Sequence, residues 1–187
     1  RLARGEDLRE VEPYREAVSY SEEHTFSKDI SAYRELEPLI REHAESVARR
    51  LRNDGVRAHT VVLKWKSARR TGPGIRGYPV FTRRTTLLQP TDDGRTIAES
   101  ATDLLYRSGP KDAIRLLGVG CTGLTGESAD QLPLFGAGQK ARRETLNQTL
   151  DQITQRFGRK AIGELSRTTR EQVGLSMQIK RGDDSDG

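Results

Sequence analysis

After Pro13 the chain reads YREAVSYSEEHTF, and Val18, Tyr20 and Phe26 scattered among polar residues predict an extended segment without strict alternation. The next stretch, SAYRELEPLIREHAESVARRLRNDGV, sets Leu36, Leu39, Ile40, Ala44, Val47 and Leu51 at helical spacing, with Ser31 as the expected N-cap and Gly55 as the stop. Pro38 costs such a helix least if it lies within the first turn or two. In RAHTVVLKWKSARR the period changes to two: Val61, Leu63 and Trp65 point one way, and Val62, Lys64 and Lys66 the other. TGPGIRGYP is a turn, and VFTRRTTLLQP, ended by Pro90, is a second β-prone run, so the two runs read as a hairpin with a long loop. Thr91-Asp92-Asp93 then caps a second helix with Ile97, Ala101, Leu104 and Leu105 on one side, and AIRLLGVGCTGL closes as a strand.

This order of elements predicts an α+β domain of the ferredoxin-like βαββαβ kind. Its four-stranded antiparallel sheet would carry two helices on one face and leave the other free. The expected domain covers residues 13–124, preceded by a linker over 1–12, in which RLARGEDLREVEP suggests a longer parent chain. Residues 125–140 read as a flexible linker. From 141 to 187 a mostly extended or helical tail is expected, with a helix at about 142–157 and a disordered acidic end. In that helix Leu146, Leu150, Ile153 and Phe157 form a narrow apolar stripe suited to docking. The segment GESADQLPLFGAG places Gln131-Leu132-Pro133-Leu134-Phe135 outside the expected sheet. Such an apolar pentapeptide suits another protein's pocket, or else an edge strand folded back on its own domain.

Composition narrows the function. With 33% hydrophobic and 32% charged residues among 187, the apolar side chains must be concentrated in one core. One cysteine, Cys121, cannot form an internal disulfide and reads as core. No apolar run of about 18 residues is present, so a cytoplasmic protein is expected. His24, His43 and His59 have no catalytic partner in motif spacing, and Glu22-Glu23 and Asp92-Asp93 read as solvated or capping carboxylates rather than metal ligands. No catalytic residue, cofactor or metal site is expected in this chain.

The net charge of +5 is uneven. No acid occurs between Asp54 and Asp92, where Arg57, Lys64, Lys66, Arg69, Arg70, Arg76, Arg83 and Arg84 lie. Lys64, Lys66, Arg83, Arg84 and Thr85 are expected to line the free sheet face, with hydroxyls such as those of Ser21 and Thr25 as neutral donors to phosphate. With Trp65 turned inward, that face offers no ring to stack bases, which points to backbone contact.

SYSEEHTFSKDI, TVVLKWKSA, FTRRTTLLQPTDDGRTI and IRLLGVGCTGL, in this order, resemble the little-finger (polymerase-associated) domain of Y-family translesion DNA polymerases, closest to the bacterial polymerase IV branch, over roughly residues 13–124. QLPLF is similar to the peptide by which such polymerases hold the sliding clamp. The resemblance implies primer–template DNA and the clamp as partners, with Lys64, Lys66 and Arg83 on DNA. Thr85 and Gly120 stand where many members are basic, which throws weight onto Arg84, Arg69 and Arg70. At the clamp, Leu134 and Phe135, with Leu132 beside them, would fill an apolar pocket while Gln131 bonds at its rim and Pro133 limits the free conformations. Catalytic carboxylates and their Mg2+ would belong to a preceding part of the parent polymerase. The alternatives are an interaction scaffold from a catalytically inactive relative and a free-standing RNA-binding domain.

Overall fold

The computed structural model describes residues 4–5, 16–73, 77–126, 137–158, 161 and 172–181, the last stretch as backbone alone. The elements run β1 (Ala17–Ile30), α1 (Tyr33–Asn53), β2 (Val56–Ser67), β3 (Val80–Thr91), α2 (Gly94–Ser108), β4 (Ile114–Gly126), α3 (Ala137–Phe157) and β5 (Gln172–Arg181). The expected βαββαβ order and α+β class are present. The strand order is β3-β2-β4-β1-β5, every pairing antiparallel. It differs from the ferredoxin-like arrangement, in which the first and third strands hold the centre; here β2 and β4 do. The fifth strand was not among the expected elements, although Val173, Leu175, Met177 and Ile179 alternate along it. Gln172–Arg181 pairs along β1, so β1 is an interior strand instead of an edge.

The core lies between the sheet and the two helices α1 and α2. Alternation on β2 buries Val61, Leu63 and Trp65, while helical spacing on α1 buries Leu36, Ile40, Ala44, Val47 and Leu51. Ile97, Ala101, Leu104 and Leu105 of α2 complete it, and Cys121 is buried there as expected. Burial pushes the Cys121 thiol up to about 12, so it is inert as a nucleophile.

The helix ends correct one expectation and sustain another. Ser31 does not cap α1: Ala32 occupies the N-cap without a side-chain bond, and Ser31 stands one residue too early to reach the first-turn amides. At the other end Asp54 is the C-cap and Gly55 takes a φ of +61°, the left-handed backbone that terminates helices at glycine. Asp93 caps α2 by accepting from Thr96 N at 3.0 Å. The hydrogen bonds from Thr96 and Asn147 outweigh its burial and lower its pKa.

Two boundaries shift. Thr125 and Gly126 belong to β4 and residues 137–140 to α3, so the expected linker 125–140 is shorter than it looked. α3 also docks by only part of its expected stripe, Leu150 and Ile153 being half-buried. Leu146 and Phe157 remain 56% and 64% exposed, whereas Asp151 forms a two-pronged bridge to Arg52 at 2.6 and 2.9 Å, Glu144 meets Arg57 at 3.2 Å, and Asn147 donates to Asp93 at 3.1 Å. Arg52 gathers Asp151, Glu45 and the Asp92 carbonyl. Burial alone would lower its pKa, but those acidic partners raise it overall.

Candidate functional site

Cross-strand partners share a face of a sheet, so register decides which side chains stand together. Lys66 pairs with Val80 and Leu116, Lys64 with Thr82 and Gly118, Val62 with Arg84 and Gly120, and Thr60 with Thr86 and Thr122. Across β4, these rows continue on β1 to Thr25, Glu23, Ser21 and Ser19. Together they form the face opposite the core.

Arg83 and Thr85 are not on it. They pair with Leu63 and Val61, so they share the core-side face. There the Arg83 guanidinium lies 5.5 Å over the Trp65 ring, which also stacks on Phe81 at 5.4 Å. The expectation that they line the open face with the lysines is therefore corrected: Arg84 and Thr82 hold that side of β3. Arg69 and Arg70 follow β2 into the loop beyond the Lys66 end. Arg69 is exposed, and Arg70 donates to the Gly72 carbonyl at 2.8 Å and lies near the Tyr78 ring. Ser21 and Thr25 do face outward. The peptide Gln131, Leu132, Pro133, Leu134, Phe135, the linker 1–12 and the acidic end lie outside the described residues, apart from Arg4 and Gly5.

Nor is the face free of acid. Lys64 Nζ donates to Glu23 Oε2 at 2.7 Å. The acid-free run from 55 to 91 had suggested a purely basic face, but β1 brings an acid from far away in sequence. The two side chains meet over β4 because Gly118 lies between their strands. A Cβ built on Gly118 would come within 2.8 Å of the Glu23 Cβ, and one on Gly120 within 3.0 Å of the Ser21 Cβ. The middle of the face is thus a lane floored by buried backbone, flanked by hydroxyls and by Lys66 and Arg84. It can take a polyanion backbone lying flat. Among the described residues of these rows there is no aromatic ring to sandwich a base.

Sequence reasoning missed Ser19, Thr60, Thr86 and Thr122. The alternation Ser19, Ser21, Glu23, Thr25 held part of the signal; the partnership among the strands did not exist in it. The adjacent acids also part company. Glu23 faces outward, whereas Glu22 is buried against Arg50 at 3.5 Å beside His24 and His43, whose rings stack at 6.2 Å. The solvated reading of Glu22 is therefore wrong: alternation puts it on the core side. Among the described residues no group of three His, Cys, Asp or Glu side chains could hold a metal ion, and no helix is long and apolar enough to cross a membrane.

A family model described as the impB/mucB/samB family C-terminal domain matches residues 17–134. The chain is 33% identical over 162 residues to DNA polymerase IV 1 of Mesorhizobium japonicum, covering 87% of this chain and 35% of that protein. It is 38% identical over 161 residues to DNA polymerase IV of Desulfatibacillum aliphaticivorans, covering 84% and 38%. The chain thus spans well under half the length of these relatives. Among solved structures, the little finger domain of PolIV in complex with a beta-clamp processivity factor matches at a TM-score of 0.45 and 20% identity, over 63% of this chain and 99% of that one. A binary complex of Dbh DNA polymerase matches at 0.46 and 10%, over 67% and 34%.

Proposed function

The chain belongs to the impB/mucB/samB family through its C-terminal domain, and from that premise we propose that it is the DNA-gripping and clamp-tethering part of a translesion DNA polymerase. The observation that carries the reading is the open sheet face, a backbone-floored lane with Lys66, Arg84 and the hydroxyls of Ser21 and Thr25 along it. Cations and hydroxyls hold phosphates without reading bases, as a polymerase that follows any template requires. The face does not react. Its work is to bind and orient duplex DNA for chemistry carried out elsewhere in the parent polypeptide. The Mg2+ of that chemistry would be held there as well.

Tethering rests on QLPLF, which follows the end of β4 at Gly126 by a few residues. An apolar peptide there can reach a partner's pocket without disturbing the core. The parent would work in the cytoplasm, where bacterial DNA is found.

Two titrations test the reading. Lys66→Ala with Arg84→Ala should weaken binding to a primer–template duplex and flatten its salt dependence by about two units of slope; unchanged binding at low salt refutes the gripping role. Deleting 131–135 should abolish association with the sliding clamp, and retained affinity refutes the tether.

A further inference from the structure

The open face departs from a simple cationic grip in two ways. Its central lysine is already occupied: Glu23, with only 16% of its side chain exposed against 39% for Lys64, holds the ammonium at 2.7 Å over Gly118. A phosphate that took Lys64 would leave a largely covered carboxylate without its partner, beside a second negative charge. At one end of the same face, register lines up Thr86, Thr60, Thr122 and Ser19, four hydroxyls from four adjacent strands. The neighbouring row runs Arg84, Val62, Gly120 and Ser21. On β3, β2, β4 and β1 neither row contains an acid.

We propose that Glu23 determines both the affinity of this face and the path of the polyanion across it. It neutralises Lys64 and repels phosphate from the centre, so that the DNA backbone is held at Lys66 on one side of Glu23 and along the rows of Ser19, Thr60, Thr86, Thr122 and Arg84 on the other. The inference rests on the gripping role proposed above and adds to it the track and a residue set against tight binding. Hydroxyls donate to phosphate without displacing a cation from the DNA, so they add hold that is indifferent to salt. Strands lie about 4.8 Å apart, which lets a four-strand row span about 14 Å, enough to meet more than one phosphate. A weak, salt-tolerant grip of this kind suits a protein that must slide.

The experiment uses the full 187-residue chain and a fluorescent duplex oligonucleotide titrated at several salt concentrations. Glu23→Gln should bind at least about threefold more tightly at low salt and steepen the slope by about one, because Lys64 is released. Adding Lys64→Ala to Glu23→Gln should return the slope to its original value. Thr60→Val with Thr86→Val and Thr122→Val, which keep the shape and the strand preference, should weaken binding severalfold and leave the slope unchanged. Near-UV circular dichroism checks that each variant is folded. A Glu23→Gln protein with the original affinity and slope overturns the proposal, and so does a folded threonine variant that binds as before. A chain that binds no duplex even at low salt overturns the gripping role as well, which keeps the two failures apart.

Discussion

Lys64 on β2 and Glu23 on β1 are joined at 2.7 Å although β4 runs between their strands. The bridge exists because Gly118, their common register partner, has no side chain to stand in the way. A pair that looks like a surface ion pair is thus tied to the packing of three strands.

Gly118→Ala should therefore cost about 1–3 kcal/mol, as the new methyl meets Glu23 Cβ at 2.8 Å and Glu22 O at 3.3 Å. Gly120→Ala, whose nearest contact is 3.0 Å, should cost less. Urea midpoints of the two variants check the order.

Asp151→Asn should loosen α3 by about 1–2 kcal/mol while leaving the core transition nearly unchanged, because it removes an ionic fork to Arg52 and no core side chain. Amide exchange across 137–157 should accelerate in this variant. The wild type should show a milder acceleration as salt rises, since Arg57–Glu144 and Arg49–Asp151 are also ionic.

Stability should fall as the pH drops below about 6.5, the ordinary value for histidine. Burial lowers the His24 pKa, against the opposing pull of Glu42 and Glu22. A histidine with a depressed folded pKa is neutral in the fold and binds protons more readily when unfolded, so its contribution is full above the unfolded value and lost toward acid. His24→Gln should flatten the pH dependence of the thermal midpoint between pH 7 and 5.

Arg84→Ala should weaken duplex binding more than Arg83→Ala, although the two are neighbours in sequence. Arg83 lies over Trp65 on the core side, and Arg84 shares the open face with Val62 and Gly120. Equal losses in a parallel titration would show that register does not govern the interface.

Ending the chain at Gly158 should expose the β1 edge that β5 covers, and light scattering should then report association at high concentration. The same shortened chain should keep its core, since α1, α2, β1, β2 and β4 supply the buried cluster.

β-prone composition and turn residues located β1, β3 and β4, whereas periodicity located α1, α2 and β2 near their true bounds, because burying one face of a helix or strand writes a period of 3.6 or 2 into the residues. It identified Trp65, Leu63 and Val61 as core and Lys64 and Lys66 as outward. It had no means of fixing Arg83 against Arg84: β3 reads VFTRRTTLLQPT, too uniformly polar for alternation to declare a face. β5 was missed although its signal is present: Val173, Leu175, Met177 and Ile179 alternate with Gly174, Ser176, Gln178 and Lys180, the period of a strand with one apolar face, but the stretch lies within the expected tail. α3 was half legible: Leu150 and Ile153 of its apolar stripe are half-buried, while the Glu144, Asn147 and Asp151 contacts beside them leave no apolar signal in the sequence.

The sequence by itself determined the α+β class, the order of its first six elements, the apolar core and the family signatures. All of these follow from which side chains avoid water along a local stretch of chain. Tertiary structure alone decided that β2 and β4 stand at the centre, that Glu23 answers Lys64 over a glycine, and that four hydroxyls from four strands form one row. Those depend on register between segments up to about a hundred residues apart. No local pattern encodes it; it is fixed only when the strands settle against one another and the helices above them.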